Sequence, residues 1–243
     1  MDIVLIGYGK MGKAIEQIAL ERGHQIVLKI SRDNQGAFTE SNLQMADVAI
    51  EFTSPGSAFE NVEKCLAAHI PVVCGTTGWD EHLDMAKARC IEENGSFLQT
   101  ANFSVGVNLF FELNRQLAAM MNNYPGYDVH ITETHHLEKK DKPSGTAITL
   151  AEQVLDNLER KKHWHLGADQ SDYDILNIQS FREAGIPGTH LVRYTSGIDD
   201  IEIRHTAHSR KGFALGAVLA AEYIHNKKGV FSMRDVLKGQ EKF

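Results

Sequence analysis

The sequence predicts an α/β protein: a Rossmann-type doubly wound parallel sheet with an inserted α+β domain built on a four-stranded sheet. Three observations lead there. Residues 1–104 alternate short, strongly apolar runs with helical stretches, the pattern of a parallel sheet covered on both faces. "GYGKMG" (7–12), a G-x-G-x-x-G, falls at the first strand-to-helix junction. Beyond residue 104 longer alternating strands take over, and an alanine-rich amphipathic helix closes the chain.

Each element has its own justification. "DIVLIG" (2–7) is a β-rich apolar run ending in glycine, and "KMGKAIEQIALERG" (10–23) then takes helical period, with Ile15, Ile18 and Ala19 on one face. "HQIVLKI" (24–30), "ADVAIEFT" (46–53), "IPVVCGT" (70–76) and "GSFLQTANF" (95–103) read as further strands, and "GSAFENVEKCLAAH" (56–69) as a helix. Residues 105–122 form a helix. "YDVHITETHH" (127–136) is a strand with Tyr127, Val129, Ile131, Glu133 and His135 on one face. A helix over 146–159 carries an apolar stripe, and 173–183, 189–196 and 201–209 are strands, the last two joined by the turn "GIDD" (197–200). Residues 160–172 read as a polar, mobile loop. The helix 213–228 is expected to return to the first domain, giving a dinucleotide-binding domain over 1–104 and 211–243 and a second domain over 105–210.

Composition narrows the function. The chain has 243 residues, 42% apolar and 23% charged, as in ordinary globular proteins. A net charge of −7 argues against a nucleic-acid partner, which would ask for a clustered basic face. Cys65, Cys74 and Cys90 lack metal-ligand spacing and read as buried small hydrophobes in a reducing compartment; no metal is expected. The N-terminus lacks the basic region and long apolar run of a signal peptide, and Glu112, Asn114 and Arg115 interrupt the longest apolar stretch (105–121), so no membrane partner is expected. These features place the protein in the cytoplasm.

In the glycine motif, Gly7 allows a tight turn, Gly9 lets backbone approach a pyrophosphate and Gly12 lets the helix pack on the strand. Tyr8, Lys10 and Met11 complete the loop. "GTTG" (75–78) and "TANF" (100–103) end strands on the same rim, where small hydroxyl and amide residues suit a ribose–nicotinamide site. The densest chemistry is "THHLEKKDKPSGT" (134–146). A strand delivers Glu133 and His135, Lys139 follows four residues later, and Pro143-Ser144-Gly145-Thr146 opens a helix whose amides can hold a carboxylate. A proton donor, an ammonium and a carboxylate cradle, used with a hydride carrier, suit reduction of an unsaturated anionic small molecule.

"ETHHLEKKDKPSGT" (133–146) fits E-x-H-H-x-x-K-x-D-x-P-S-G-T throughout, and on it the chain resembles the 4-hydroxy-tetrahydrodipicolinate reductase family. The resemblance extends over the whole chain, through "GYGKMG", "GTTGW" (75–79), "ANFSVGVN" (101–108), "IPGTH" (186–190) and "HTAHSR" (205–210). It implies NAD(P)H-dependent reduction of 4-hydroxy-tetrahydrodipicolinate to tetrahydrodipicolinate with loss of water, in the diaminopimelate route to lysine. It implies His135 as acid/base, Lys139 as proton donor, and His136, Gly145 and Thr146 as contacts to a small dicarboxylate, with Ser144 and Arg210 at the other carboxylate positions. Gly7 to Gly12, Gly75, Thr76, Thr77, Thr100, Ala101, Asn102 and Phe103 would line the cofactor. A homotetramer built through the second domain is also implied.

Two departures stand out. Lys142 occupies a position where many members have alanine. The second strand ends "ISRDN" (30–34), with Ser31 where NAD-using members place an acid; Arg32 can then pair with a 2′-phosphate, while Asp33 can stand in for the acid after a one-residue shift. The expectation is dual use of NADPH and NADH with NADPH favoured. Two other readings compete. A sugar or amino-acid dehydrogenase of similar plan would keep the glycine loop without needing the histidine–lysine motif. A redox sensor would need a partner-binding segment, and none is visible.

Overall fold

Strand β1 (Asp2–Ile6) sends Val4 and Ile6 to one side of its sheet and Ile3 and Leu5 to the other, and all four are buried. A strand apolar on both sides needs covering above and below. The computed structural model describes residues 1–167, 172–209 and 211–239, and divides into two units, Met1–Val105 with Arg210–Phe243, and Gly106–Ser209. In the first unit β1 leads through Gly7–Gly9 into α1 (Lys10–Glu21), which buries Gly12, Ile15 and Ala19. Next come β2 (Gln25–Ile30), α2 (Glu40–Leu43), β3 (Val48–Glu51), α3 (Pro55–Ala67), β4 (Val72–Cys74), α4 (Leu83–Glu92) and β5 (Ser96–Gln99). The three cysteines are free and buried, and burial raises the pKa of each thiol.

The second unit takes most of α5 (Val105–Met121), then β6 (Asp128–His135), α6 (Gly145–Asn157), β7 (His163–Leu166), β8 (Ile175–Arg182), β9 (Gly188–Thr195) and β10 (Asp200–Ala207). Its sheet is mixed, in the order β10-β9-β6-β8-β7: β6 runs parallel to β8 and antiparallel to β9. Val129, Ile131, Leu176, Ile178, Val192 and Tyr194 pack from the sheet against Phe110 and Ala118 of α5 and Leu150 and Val154 of α6. This sheet has five strands, where the sequence pattern predicts four. The additional strand, β7, lies in the stretch 160–172 that reads as a mobile loop. Its anchor is Lys161, whose ammonium is buried; it donates to the carbonyls of Tyr173 (2.8 Å) and Ile175 (2.7 Å) and pairs with Asp128 at 2.7 Å. Residues 168–171 of that stretch lie outside the described residues.

The chain then returns to the first unit as α7 (Lys211–Ile224), β11 (Gly229–Phe231) and α8 (Met233–Gly239). α7 buries Ala214, Ala217, Val218 and Ala221 against the Ile3/Leu5 face, and β11 pairs in parallel with β5. The finished sheet runs β11-β5-β4-β3-β1-β2, six parallel strands whose order reverses between β1 and β3. Such a reversal opens a crevice at the strands' carboxyl ends.

Candidate active site

The crevice at that reversal is a cavity of about 470 Å³, lined by residues just beyond the ends of β1, β2 and β3 (Gly7, Tyr8 and Gly9; Ser31, Arg32 and Asp33; Thr53 and Ser54) and by Asn61 of α3. Gly7 has φ +96°, and a Cβ there would lie 1.9 Å from the Phe52 carbonyl. A Cβ on Gly12 would come within 2.3 Å of the Gly7 oxygen, so α1 seats directly on the loop. Gly9, the α1 N-cap, has no side-chain cap, and a Cβ there would meet nothing within 4 Å. The start of α1 therefore faces open space with its amides unsatisfied, the arrangement a pyrophosphate needs. Tyr8 is held in the loop by a hydroxyl bond to Glu16, and Lys29, paired with Glu16 at 2.5 Å, lies over its ring.

Ser31 caps the short 3-10 turn Arg32–Ala37, and its amide donates to Asn34 Oδ1 at 2.7 Å. This fixes the turn so that Arg32 and Asp33 both border the cavity. Thr53, Ser54, Ser57 and Asn61 are wall residues that the sequence pattern did not single out. The signal was available: "EFTSPG" (51–56) is as rich in small hydroxyls at a strand end as "GTTG". Their anchor is Glu51, fully buried, which accepts bonds from the Thr53 hydroxyl, Cys74 Sγ (3.0 Å) and the Asn61 amide (3.4 Å). The Thr53 amide in turn donates to Thr76 Oγ1 at 2.8 Å, tying this wall to the Gly75–Thr77 turn. Gly75 presses on the Phe52 ring, Thr77 is exposed, and Thr100 accepts from the Asn102 amide. Ala101 is exposed, while the Phe103 side chain is 1% exposed and belongs to the core beside Phe52. These two rim turns lie past β3, on β4 and β5, and do not border the cavity.

In the second unit, alternation along β6 places Glu133 and His135 on the buried side. Glu133 is completely buried. Its Oε1 accepts from the Ser144 amide (3.0 Å) and the Ser180 hydroxyl (2.6 Å), and Arg182 Nη1 lies 3.8 Å away. Its Oε2 accepts no hydrogen bond among the described residues, although His135 Nε2 stands at 3.2 Å and His190 Nε2 at 3.6 Å. Burial opposes the charge on Glu133, but the two imidazoles, Ser144 and Ser180 outweigh it and hold the carboxyl well below its ordinary range. His190, 4% exposed, has its pKa lowered, chiefly by burial. The His135 ring rests against Gly188, and its Nδ1 is 3.3 Å from the Pro187 carbonyl.

His190 is absent from the residues that the sequence pattern singles out. Its register is the signal: Gly188, His190, Val192 and Tyr194 form the buried side of β9, and a histidine among them asks for a partner. Ser180 and Arg182 escape for the same reason, being ordinary residues brought to Glu133 only by the pairing of β8 with β6. Ser144, 2% exposed, caps α6 by accepting from the Ala147 amide at 3.1 Å, and its Oγ lies 3.2 Å from His190 Nε2. Gly145 and Thr146 are the first residues of α6, partly open to solvent. Lys139 is clamped by both Asp141 oxygens at 2.8 Å, and this ion pair lowers the Asp141 pKa. His136 pairs with Glu138 at 2.9 Å on the outside of the loop. Lys142, exposed, precedes Pro143 across a cis peptide bond. Arg210 lies outside the described residues.

Residues 1–103 match the family model described as dihydrodipicolinate reductase, N-terminus, and residues 106–237 match its C-terminus counterpart. The chain belongs to the dihydrodipicolinate reductase family. Among curated relatives, the 4-hydroxy-tetrahydrodipicolinate reductase of Christiangramia forsetii is 52% identical over 98% of both chains. The enzyme of the same name from Neisseria meningitidis is 34% identical over 91% of this chain and 83% of the relative. A solved structure, dipicolinate-bound dihydrodipicolinate reductase from Paenisporosarcina sp. TG-14, superposes with a TM-score of 0.78 over 97% of this chain and 98% of that one; at 22% identity the likeness is one of fold. This reductase is accordingly an NAD(P)H-dependent oxidoreductase, and its glycine loop fits the dinucleotide. None of the described helices is long and apolar enough to cross a membrane.

Proposed function

We propose that the chain reduces 4-hydroxy-tetrahydrodipicolinate to tetrahydrodipicolinate, with loss of water, in the diaminopimelate route to lysine. The observation that carries this reading is the buried Glu133–His135–His190 group beside the capped N-terminus of α6. NAD(P)H supplies the hydride when bound, held by the amides at the start of α1 and by the Gly75–Thr77 and Thr100–Phe103 turns. The protein supplies the rest. Pro187's carbonyl can only accept, so a proton on His135 Nδ1 is directed at it, while His135 Nε2 stands 3.2 Å from the Glu133 carboxylate. His135 is the acid that protonates the substrate, and Lys139 reinforces it with its charge and its own proton. His136 and the amides of Gly145 and Thr146 hold a substrate carboxylate, and Ser144 keeps that helix end in place.

Four further statements belong to the same reading: a small dicarboxylate as the ligand, both cofactors accepted with NADPH favoured, a homotetramer in solution, and residence in the cytoplasm. A sugar dehydrogenase of similar fold would have no use for Glu133, His135 and Lys139 in this register. The deciding experiment is NAD(P)H oxidation with freshly synthesised 4-hydroxy-tetrahydrodipicolinate. Cofactor-dependent turnover is expected, and tight cofactor binding without turnover would reject the proposal.

A further inference from the structure

The three inward atoms of the second unit's polar group pose an unsolved chemical problem. Glu133 Oε2, His135 Nε2 and His190 Nε2 converge on one buried point with separations of 3.2, 3.3 and 3.6 Å. When His135 is neutral, the Pro187 carbonyl keeps its single proton on Nδ1, and Nε2 presents a lone pair. The Ser144 hydroxyl, already accepting from Ala147, lies 3.2 Å from His190 Nε2 and can give it a proton when that nitrogen is bare, the His190 proton then sitting on Nδ1, which has no partner among the described residues. Three acceptors then face one another, and Glu133 Oε2 is left buried without a hydrogen bond. Only a proton or a metal cation placed among them relieves this.

The spacing has room for a cation. Imidazole nitrogens and carboxylate oxygens at about 2.0–2.2 Å from a tetrahedral zinc ion lie about 3.3–3.5 Å from each other. All three separations fall close to that range, and the imidazole rings stand edge to face at 70° with centroids 5.0 Å apart, so neither blocks the other's nitrogen. Two of the three have the outer contacts of a ligand, His135 Nδ1 toward a backbone carbonyl and Glu133 Oε1 fixed by Ser144 and Ser180, while His190 Nδ1 has no partner among the described residues. Arg182, 3.8 Å from Oε1, stands on the side away from the convergence point.

We propose that Glu133, His135 and His190 form a tetrahedral site for zinc or a similar divalent transition metal, with water or Ser144 Oγ in the fourth position. Bound metal takes the His135 lone pair, so the occupied enzyme cannot load a proton there and is switched off. This last step rests on the assignment of His135 as the acid; the binding site does not.

The test uses the full-length protein stripped with a chelator and titrated with zinc chloride by calorimetry. One ion per chain is expected, with affinity falling by at least ~10²-fold in His190→Gln and Glu133→Gln, more than the loss of an outer contact would cost. X-ray absorption at the zinc edge of the wild type, which needs no variant, should show two imidazoles and an oxygen at about 2.0–2.2 Å. Turnover should disappear in step with occupancy and return with chelator. Absence of stoichiometric binding, equal affinity in correctly folded variants, or an edge spectrum without imidazole would overturn the site. Full occupancy with undiminished turnover would leave the site standing and remove His135 from its catalytic role.

Discussion

Gly188 has no side chain because His135 occupies the space: a Cβ there would lie 2.9 Å from the ring. Gly188, the Pro187 carbonyl and Glu133 fix the imidazole in one orientation, which a catalytic acid needs. His135→Ala should therefore lower kcat by ~10²–10⁴-fold while nucleotide affinity stays nearly unchanged, read by steady-state rates and nucleotide titration. Near-full activity would shift the proton transfer to Lys139. At the other end of the chemistry, Arg32 and Asp33 border the same cavity and favour different cofactors. A carboxylate repels a 2′-phosphate, and a guanidinium pairs with it through a fork of donors. Arg32→Ala should raise the KM for NADPH and leave that for NADH little changed. A wild-type preference for NADH that the substitution does not alter would assign the choice to Asp33.

At the scale of elements, β1, the glycine turn and α1 make one device, and two of its glycines serve different ends. Gly12→Ala drives a methyl into the Gly7 carbonyl and should cost about 1–3 kcal/mol of stability as α1 lifts off. Gly9→Ala meets nothing within the fold, so its stability should stay within about 0.5 kcal/mol while nucleotide affinity falls. Chemical denaturation and nucleotide titration of the pair separate packing from binding; equal destabilisation of both would refute this division. The interior strands of the first sheet are legible in the sequence because burial on both faces writes an unbroken apolar run. β7 and β11 are not: each is short, sits at a sheet edge and pairs on one side only. "HWHL" (163–166) needs little apolar content when two of its residues face solvent, so its sequence looks like a loop. The site divides in the same way. Glu133, His135, Lys139 and Ser144 lie within a dozen residues and show their spacing, whereas His190, Ser180 and Arg182 reach Glu133 only through strand pairing, which no local pattern records.

For the whole molecule, acid is the weakness. Glu133 and His190 both take up protons less readily folded than unfolded, because folding surrounds one with donors and buries the other. Unfolded chains therefore bind more protons, so the stability these groups confer is complete above His190's ordinary value of 6.5. It declines below that value and declines further as pH falls through Glu133's ordinary 4.5. Thermal melts should show Tm dropping in both windows, with His190→Gln removing the upper part; a flat acid profile in the wild type would refute the assignment. The second sheet bears on assembly. Its helices cover one face only, and on the other the pairing register sets out Thr132, Gln179, Phe181 and Leu191, with Phe181 47% exposed. If this face is buried against copies of the chain, light scattering at micromolar concentration should give the mass of a tetramer, and a monomer would count against that assembly. Finally, the first sheet is closed by β11, the last of the described strands in chain order. β5 keeps an unpaired edge until Gly229–Phe231 emerges, about 130 residues later, on the order of ten seconds at ~5–20 residues per second. Meanwhile the second unit, contiguous in the chain, can complete all its pairings before the first sheet is closed, and a nascent chain stalled before residue 229 exposes a sticky strand that invites capture by a chaperone.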